Sequence, residues 1–122
     1  MITLFCACTA TKPKGYIDKN EIYLEYIFYK SLQYAYNNDS LFMNDASAGV
    51  LMDLSGFSIL GELGDYLDNE AKRRADKIEP HELLDYRGKK PIFIDLLGYY
   101  ENKELSKKIL KEIKLIRRKG RY

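Results

Sequence analysis

Residues 48–56 read AGVLMDLSG, an apolar run that is closed by a serine and a glycine. Its apolar side chains do not alternate with polar ones, which is typical of a strand buried on both faces of a parallel sheet. Two further runs have this character, ITLFCAC at 2–8 and PIFIDLL at 91–97. We therefore predict three buried strands, at residues 2–8, 48–54 and 91–97.

Segments with helical spacing separate and follow these runs. Apolar residues recur every three or four positions after Asn20, which is the predicted N-cap of a first helix. A second helix is predicted from about Ser58 to near Pro80, and a third over 101–118. Alternating strands and helices predict an α/β fold, a three-layer sandwich with a small, mostly parallel sheet and right-handed crossovers, Rossmann-like or flavodoxin-like. We expect one such domain over 1–122.

Composition limits the classes of partner and cofactor. The chain carries 20 Lys and Arg against 18 Asp and Glu, and this net charge of +2 provides no strong field for nucleic acid or anionic lipid. Cys6 and Cys8 are too close in sequence for a relaxed disulfide, so we expect free thiols and a cytoplasmic location. His81 is the only histidine, and together with two cysteines it falls short of a structural zinc set. We expect no metal, no organic cofactor, no membrane span and no nucleic-acid partner.

Glu62 is the candidate for chemistry. Gly61 and Gly64 flank it, and a glycine inside a helix costs about 1 kcal/mol relative to alanine. Their missing side chains would let a substrate approach, while the helix N-terminus would keep the carboxylate ionised. An ionised carboxylate in a cleft is what a nucleophile at a sugar anomeric carbon requires. The alternative is that Glu62 is a surface residue and that the glycines serve only packing.

Three segments in order resemble the nucleoside 2-deoxyribosyltransferase family and its deoxynucleoside N-hydrolase branch. They are ASAGVLMDL at 46–54, GELG at 61–64 and GKKPIFI at 88–94. The resemblance implies that Glu62 attacks C1′ of a 2′-deoxynucleoside. The base would leave, and a second base or water would resolve the deoxyribosyl ester with retention of configuration.

The same resemblance implies the remaining site residues. Cys6 and Ala7 stand where the family has its first strand and substrate-lining turn, and Asp53 and Ser58 stand at the end of the next strand and in the loop after it. The acidic residue that the family places shortly before its glutamate has no counterpart here, so either Asp53 substitutes for it from the strand end or the activity is lost. Residues near the carboxyl terminus of the family reach a neighbouring subunit, which implies a homo-oligomer and a role for Tyr122.

Two other functions stay open, together with one unassigned surface. The chain is also compatible with a non-catalytic nucleoside or nucleotide-binding domain, or with a flavodoxin-like interaction module. The unassigned surface is a basic face near the carboxyl terminus, formed by Lys107, Lys108, Lys111, Lys114, Arg117, Arg118, Lys119 and Arg121. Such a face usually complements its own helix dipole in solvent, and the alternative is that it grips a nucleotide phosphate or a neighbouring subunit.

Overall fold

A computed structural model describes residues 18–37, 39–56, 61–80 and 88–120, and all regular secondary structure in these ranges is helical. The helices are α1 Lys19–Tyr36, α2 Asp39–Phe42, α3 Ser47–Ser55, α4 Glu62–Asp76, α5 Ile92–Glu101 and α6 Lys103–Gly120. These ranges contain no strand, so the predicted α/β sandwich with a Rossmann-like or flavodoxin-like parallel sheet is wrong. The predicted strand at 2–8 lies outside the described residues.

The predicted strand at 48–54 is helix α3. A continuous apolar run has no periodicity that distinguishes a buried strand from a helix. The residues at its two ends therefore decide which of the two forms. Asp45 Oδ1 accepts the backbone N–H of Ser47 at 2.8 Å, which satisfies a donor in the first turn. At the other end, Gly56 has a φ of 75° and donates its N–H to the carbonyl of Met52 at 2.9 Å. These are the two ends of a helix rather than of a strand.

The predicted strand at 91–97 falls largely within α5. Pro91 immediately precedes the first helical residue, and its carbonyl accepts the N–H of Asp95 at 3.0 Å, which closes the first turn. A proline at a helix start loses no hydrogen bond, because the first N–H groups of a helix have no partner in it. The described ranges contain no sheet, so Asp53 does not stand at the end of a strand as predicted but lies within α3.

Helix α1 is the centre of the described structure and packs against α3, α4 and α5. The helix predicted here is confirmed, but its N-cap is Asp18, whose Oδ1 accepts the N–H of Asn20 at 3.1 Å. Buried side chains lie around most of its circumference, not on the single face that the spacing predicts. They are Ile22, Tyr23, Leu24, Tyr26, Ile27, Tyr29 and Ser31. A helix covered on several sides needs apolar residues on several sides.

The second and third predicted helices are α4 and α6, and each buries one side. In α4 the buried residues include Leu63, Leu67, Ala71 and Ala75, and in α6 they are Ile109, Ile113 and Ile116. Together with α1 these side chains form the core, because α4 packs on α1 and α6 packs on α4. The spacing of three and four residues places each set on one side of its helix.

Two tyrosine–carboxylate hydrogen bonds tie α1 to its neighbours. The hydroxyl of Tyr34 on α1 donates to Asp68 on α4, and the hydroxyl of Tyr100 on α5 donates to Glu21 on α1. Burial, and then the bonded carboxylate, raises the pKa of each tyrosine well above its usual range. Both phenols therefore stay protonated and able to donate.

Candidate functional site

Glu62 lies on the surface at the start of α4. Its side chain is 54% exposed, and Nζ of Lys119 lies 3.2 Å from its Oε2. Gly61 precedes the helix with a φ of 98°, a conformation that favours glycine, and Gly64 is buried. The carboxylate thus faces solvent and a lysine of α6, which is not the enclosed position that the nucleophile hypothesis expects.

Of the other predicted site residues, only Asp53 belongs to the part of the chain that the structure describes. Asp53 is exposed on α3, and neither it nor Glu62 lines either of the two clefts described below. Cys6, Ala7, Ser58 and Tyr122 lie outside the described residues. The predicted substrate pocket therefore stays a prediction without a described cavity.

A cationic groove of about 650 Å³ runs along α6 beside the start of α1. Its lining comes from α6 except for Asn20, and consists of Asn20, Lys107, Leu110, Lys111, Ile113, Lys114, Arg117 and Arg118. Five of these residues are cations and none is an acid. We call this cleft the cationic groove.

Four of the lining cations form a row that we call the cationic stripe: Lys107, Lys111, Lys114 and Arg118. Their spacing of four, three and four residues places them on one side of α6, and at about 1.5 Å per residue the row is about 16 Å long. The buried isoleucines of α6 lie on the opposite side of the helix, so all four cations are exposed. The packing of the core thus orients the stripe toward solvent.

Arg117 fixes one edge of the cationic groove. Its guanidinium carbon lies 5.8 Å from the ring centroid of Tyr23, which is 2% exposed and belongs to the core. A guanidinium at this distance is attracted by the face of the ring. The contact joins α6 to α1 near Asn20, although 94 positions separate Arg117 from Tyr23 in the sequence.

Charge is strongly segregated between α6 and the rest of the chain. Helix α6 carries eight Lys and Arg against two Glu, a net charge of +6, whereas the whole chain carries +2. The other residues therefore carry a net charge of −4. The net charge of +2 argued against a polyanionic partner. It is the sum of a strongly positive helix and a negative remainder, so it does not describe the electrostatic field around α6.

The cationic stripe has no carboxylate partner among the described residues. The only ion pair of α6 within 4 Å in those ranges joins Lys119 to Glu62, and Lys119 is not part of the stripe. The other ion pairs of the described structure lie within α4. The stripe is thus a row of exposed positive charges with which no carboxylate of the described ranges forms an ion pair.

A second cleft has the opposite charge. It has a volume of about 480 Å³ and is lined by Glu25, Tyr29, Asp45, Ala46, Ser47, Val50 and Leu51. Hydrogen bonds from the Ser47 hydroxyl and N–H lower the pKa of Asp45, which keeps this carboxylate ionised. An anion would be repelled here, so the two clefts differ in the ligands that they can accept.

The described ranges contain neither a metal-binding cluster nor a membrane-spanning helix. There, no three His, Cys, Asp or Glu side chains are arranged to hold a metal ion. No helix in those ranges combines the length and the apolar character that crossing a bilayer requires.

A comparison of the chain with protein-family models, curated proteins and solved structures finds no match. The resemblance to nucleoside 2-deoxyribosyltransferases stays a prediction about the sequence. Two of the three segments that carry it were interpreted as a strand or as leading into one, but residues 47–54 of the first and 92–94 of the other are helical. The Rossmann-like description is therefore corrected, and no described contact supports a transferase.

The basic residues that line the cationic groove were visible in the sequence, and anion binding was left open there as the alternative to a solvated face. The basic residues of α6 were noted, but their usual explanation as a solvated face was preferred. The i, i+4, i+7, i+11 order of the stripe is visible in the sequence, whereas the contribution of Asn20 is not. The 87 positions between Asn20 and Lys107 are bridged only by the tertiary packing.

Proposed function

We propose that this helical domain is a non-catalytic binding domain that holds phosphate-rich anions along the cationic groove. One observation carries the proposal: Lys107, Lys111, Lys114 and Arg118 form a row about 16 Å long with no carboxylate within 4 Å in the described residues. Phosphate groups are the multiply charged anions that Lys and Arg commonly bind in proteins.

The helix dipole does not explain the whole cationic stripe. Cations are favourable near the C-terminus of a helix, and Arg117, Arg118 and Lys119 occupy the last turn of α6. The dipole effect decays within one turn, however, so it provides no reason for Lys107, Lys111 and Lys114. These three lysines need another explanation.

The cationic stripe costs stability in the unliganded domain. Like charges three or four residues apart destabilise a helix by about 0.2–0.5 kcal/mol per pair, and the stripe contains three successive pairs. Together the three pairs destabilise the helix by about 1 kcal/mol. A bound anion would remove the repulsion, and this links the stripe to a ligand rather than to folding.

The geometry of α6 argues against a lipid surface as the anion. An interfacial helix must insert an apolar face into the bilayer while its basic face meets the headgroups. The apolar face of α6, built on Ile109, Ile113 and Ile116, is already buried against α1 and α4. The basic side is therefore available without the apolar side that membrane insertion needs.

The proposal preserves the nucleotide-binding interpretation in a more general form, because a nucleotide is a small member of this ligand class. Cleavage of an N-glycosidic bond at Glu62 remains an untested prediction. The pairing of Glu62 with Lys119 and its 54% exposure provide no enclosed site for that chemistry.

A titration with inorganic polyphosphate of about 20 units tests the proposal. Loss of one exposed charge contact of up to about 1 kcal/mol weakens binding about two- to fivefold, so we expect Lys111→Gln combined with Lys114→Gln to raise the Kd about tenfold. Isothermal titration calorimetry at low salt measures the Kd of the wild type and of the variant. Circular dichroism checks that the variants keep their helix content.

The matched control is Lys89→Gln combined with Lys90→Gln. Both of these lysines are exposed before α5, so this variant loses the same charge outside the cationic groove. On α6 itself, Lys108→Gln removes an exposed lysine that does not line the groove. Equal weakening in all variants, or absence of polyphosphate binding by the wild type, would contradict the proposal.

A further inference from the structure

We infer that copies of this domain associate head to tail, with the exposed side of α6 in one copy docked on the cleft between α1 and α3 of the next copy. That cleft is the second one described above, and we call it the acidic cleft. The inference goes beyond the proposed function, because its surfaces contact protein rather than a phosphate-rich anion. Three features of the molecule support it: the positions of the two clefts, the chemistry of the acidic cleft and an exposed leucine beside the cationic stripe.

The two clefts lie on opposite sides of α1. Asn20 of α1 lines the cationic groove, whereas Glu25 and Tyr29 of the same helix line the acidic cleft. At about 100° per residue, these two are rotated from Asn20 by about 140° and about 180° around the helix axis. Helix α6 contacts the first side through Arg117 and Tyr23, and α3 packs on the second. The cationic side of a copy is therefore directed away from its own acidic cleft, and a second copy can bring the two together.

The lining of the acidic cleft suits an apolar side chain that has cations beside it. The ring of Tyr29 and the side chain of Val50 provide apolar surface, and Glu25 and Asp45 provide carboxylates in the same lining. Val50 is 51% exposed and Leu54, one turn further along α3, is 44% exposed, so this side of α3 leaves apolar surface uncovered. Exposed apolar surface with polar residues at its rim is typical of protein–protein contact sites.

The exposed side of α6 has the complementary composition. Leu115 is 42% exposed and lines neither cleft. The residues one turn away from it are Lys111, Glu112, Arg118 and Lys119, three cations and one acid. Lys111 and Arg118 belong to the cationic stripe, which has no ion pair within 4 Å in the described residues. A leucine with a cation on each side along the helix thus matches an apolar cleft that carries two carboxylates.

The separation of charge favours a head-to-tail contact over a symmetric one. Helix α6 carries +6 and the remaining chain −4, so two copies attract when α6 of one faces the remainder of the other, and they repel when α6 meets α6. A contact between two different surfaces extends to an open chain or a ring of copies. A phosphate-rich anion on the stripe competes with the next copy, because both contact Lys111 and Arg118.

Sedimentation of the full chain at low salt tests the association. We expect the average mass to rise above the 14.3 kDa of one chain as the protein concentration increases. Leu115→Gln removes the apolar side chain without a change of charge, and we expect it to weaken the association about tenfold or more. The matched control is Ile94→Gln, because Ile94 is 68% exposed on α5 and lines neither cleft. This control should associate as the wild type does.

A mixture of two defective variants tests the head-to-tail arrangement. Glu25→Lys combined with Val50→Lys places two cations in the acidic cleft, while Asp45 is kept because it bonds the first turn of α3. Circular dichroism checks the helix content, and Val50→Lys alone replaces the double variant if that variant unfolds. We expect this cleft variant and Leu115→Gln each to remain monomeric. Their equal mixture should form dimers and nothing larger, because it combines one intact α6 surface with one intact cleft.

The outcomes distinguish this inference from the proposed function. Leu115 does not line the cationic groove, so Leu115→Gln should leave the Kd for polyphosphate unchanged while it weakens the association. A wild type that stays monomeric, a variant that associates as the wild type does, or a mixture that stays monomeric overturns the inference and leaves the anion-binding proposal standing. Association of a wild type that does not bind polyphosphate supports the inference and overturns the proposed function.

Discussion

Helices α3 and α6 distribute their side chains in opposite ways. Helix α3 is mostly apolar, yet its only buried residue is Ser55. Helix α6 is mostly charged, yet it buries Ile109, Ile113 and Ile116. The comparison teaches that the spacing of apolar residues, rather than their number, decides which side of a helix joins the core. It also explains why α6 was predicted correctly and α3 was predicted to be a strand.

The largest effect that tests this comparison is the loss of core side chains. Ile113 in α6 is 2% exposed and Leu54 in α3 is 44% exposed. We expect Ile113→Ala to lower the free energy of unfolding by about 2–5 kcal/mol and Leu54→Ala to lower it by less than about 1 kcal/mol. Urea denaturation of both variants measures the difference. Similar losses would mean that α3 is covered as fully as α6 and that the comparison is wrong.

A pair of glycines sharpens the assignment of α3 as a helix. An added Cβ at Gly49 meets nothing within 4 Å, so Gly49→Ala should raise the free energy of unfolding by about 0.5–1 kcal/mol through helix propensity. Gly56 ends the helix with a φ of 75°, which is strained for any other residue. Gly56→Ala should therefore lower the free energy of unfolding by about 1 kcal/mol. Thermal unfolding distinguishes the two signs. A neutral or destabilising alanine at Gly49, or a stabilising alanine at Gly56, would contradict a helix that ends at Gly56.

The smallest effect concerns the start of α3. Hydrogen bonds from the Ser47 hydroxyl, and then from its backbone N–H, lower the pKa of Asp45 below its ordinary value of 3.8. Because the folded-state pKa is lower than the unfolded one, the stabilisation is present above the ordinary value and is lost as pH falls through the folded-state pKa. We expect Asp45→Asn to reduce the fall in stability between pH 6 and pH 3. Ser47→Ala should reduce this pH-dependent loss of stability in part, because the backbone N–H bond to Asp45 remains. If both variants lose as much stability as the wild type between pH 6 and pH 3, Asp45 is not the cause of the loss.

Much of the helical structure was predictable because local patterns specify it. Residues on one side of α4 and α6 recur every three or four positions, and this period has one interpretation. The run at 48–54 has no such period, so its apolar content fitted a buried strand equally well. Two single residues decided the structure: Asp45, two positions before Ser47, and Gly56 at the other end.

The site predicted at Glu62 stays a prediction, because its carboxylate is half exposed and no enclosed cavity is described in front of it. Glu62 became the candidate because glycines flank it, but Gly61 has a positive φ at a helix start and Gly64 is buried. Both glycines therefore have a structural explanation besides access for a substrate. The cationic stripe was visible in the sequence, but the small net charge of the whole chain concealed its separation from the acidic remainder.

By itself, the sequence determined the faces of α4 and α6, the position of α1 and the row of cations along α6, because each depends on neighbours within about a dozen residues. Only the tertiary structure decided that α1 lies at the centre, that residues 48–54 and 92–97 are helical, and that Asn20 and Arg117 border one groove. The physical reason is that burial and the proximity of distant side chains depend on how the helices pack. Neither the local spacing of apolar residues nor the composition specifies how the helices pack.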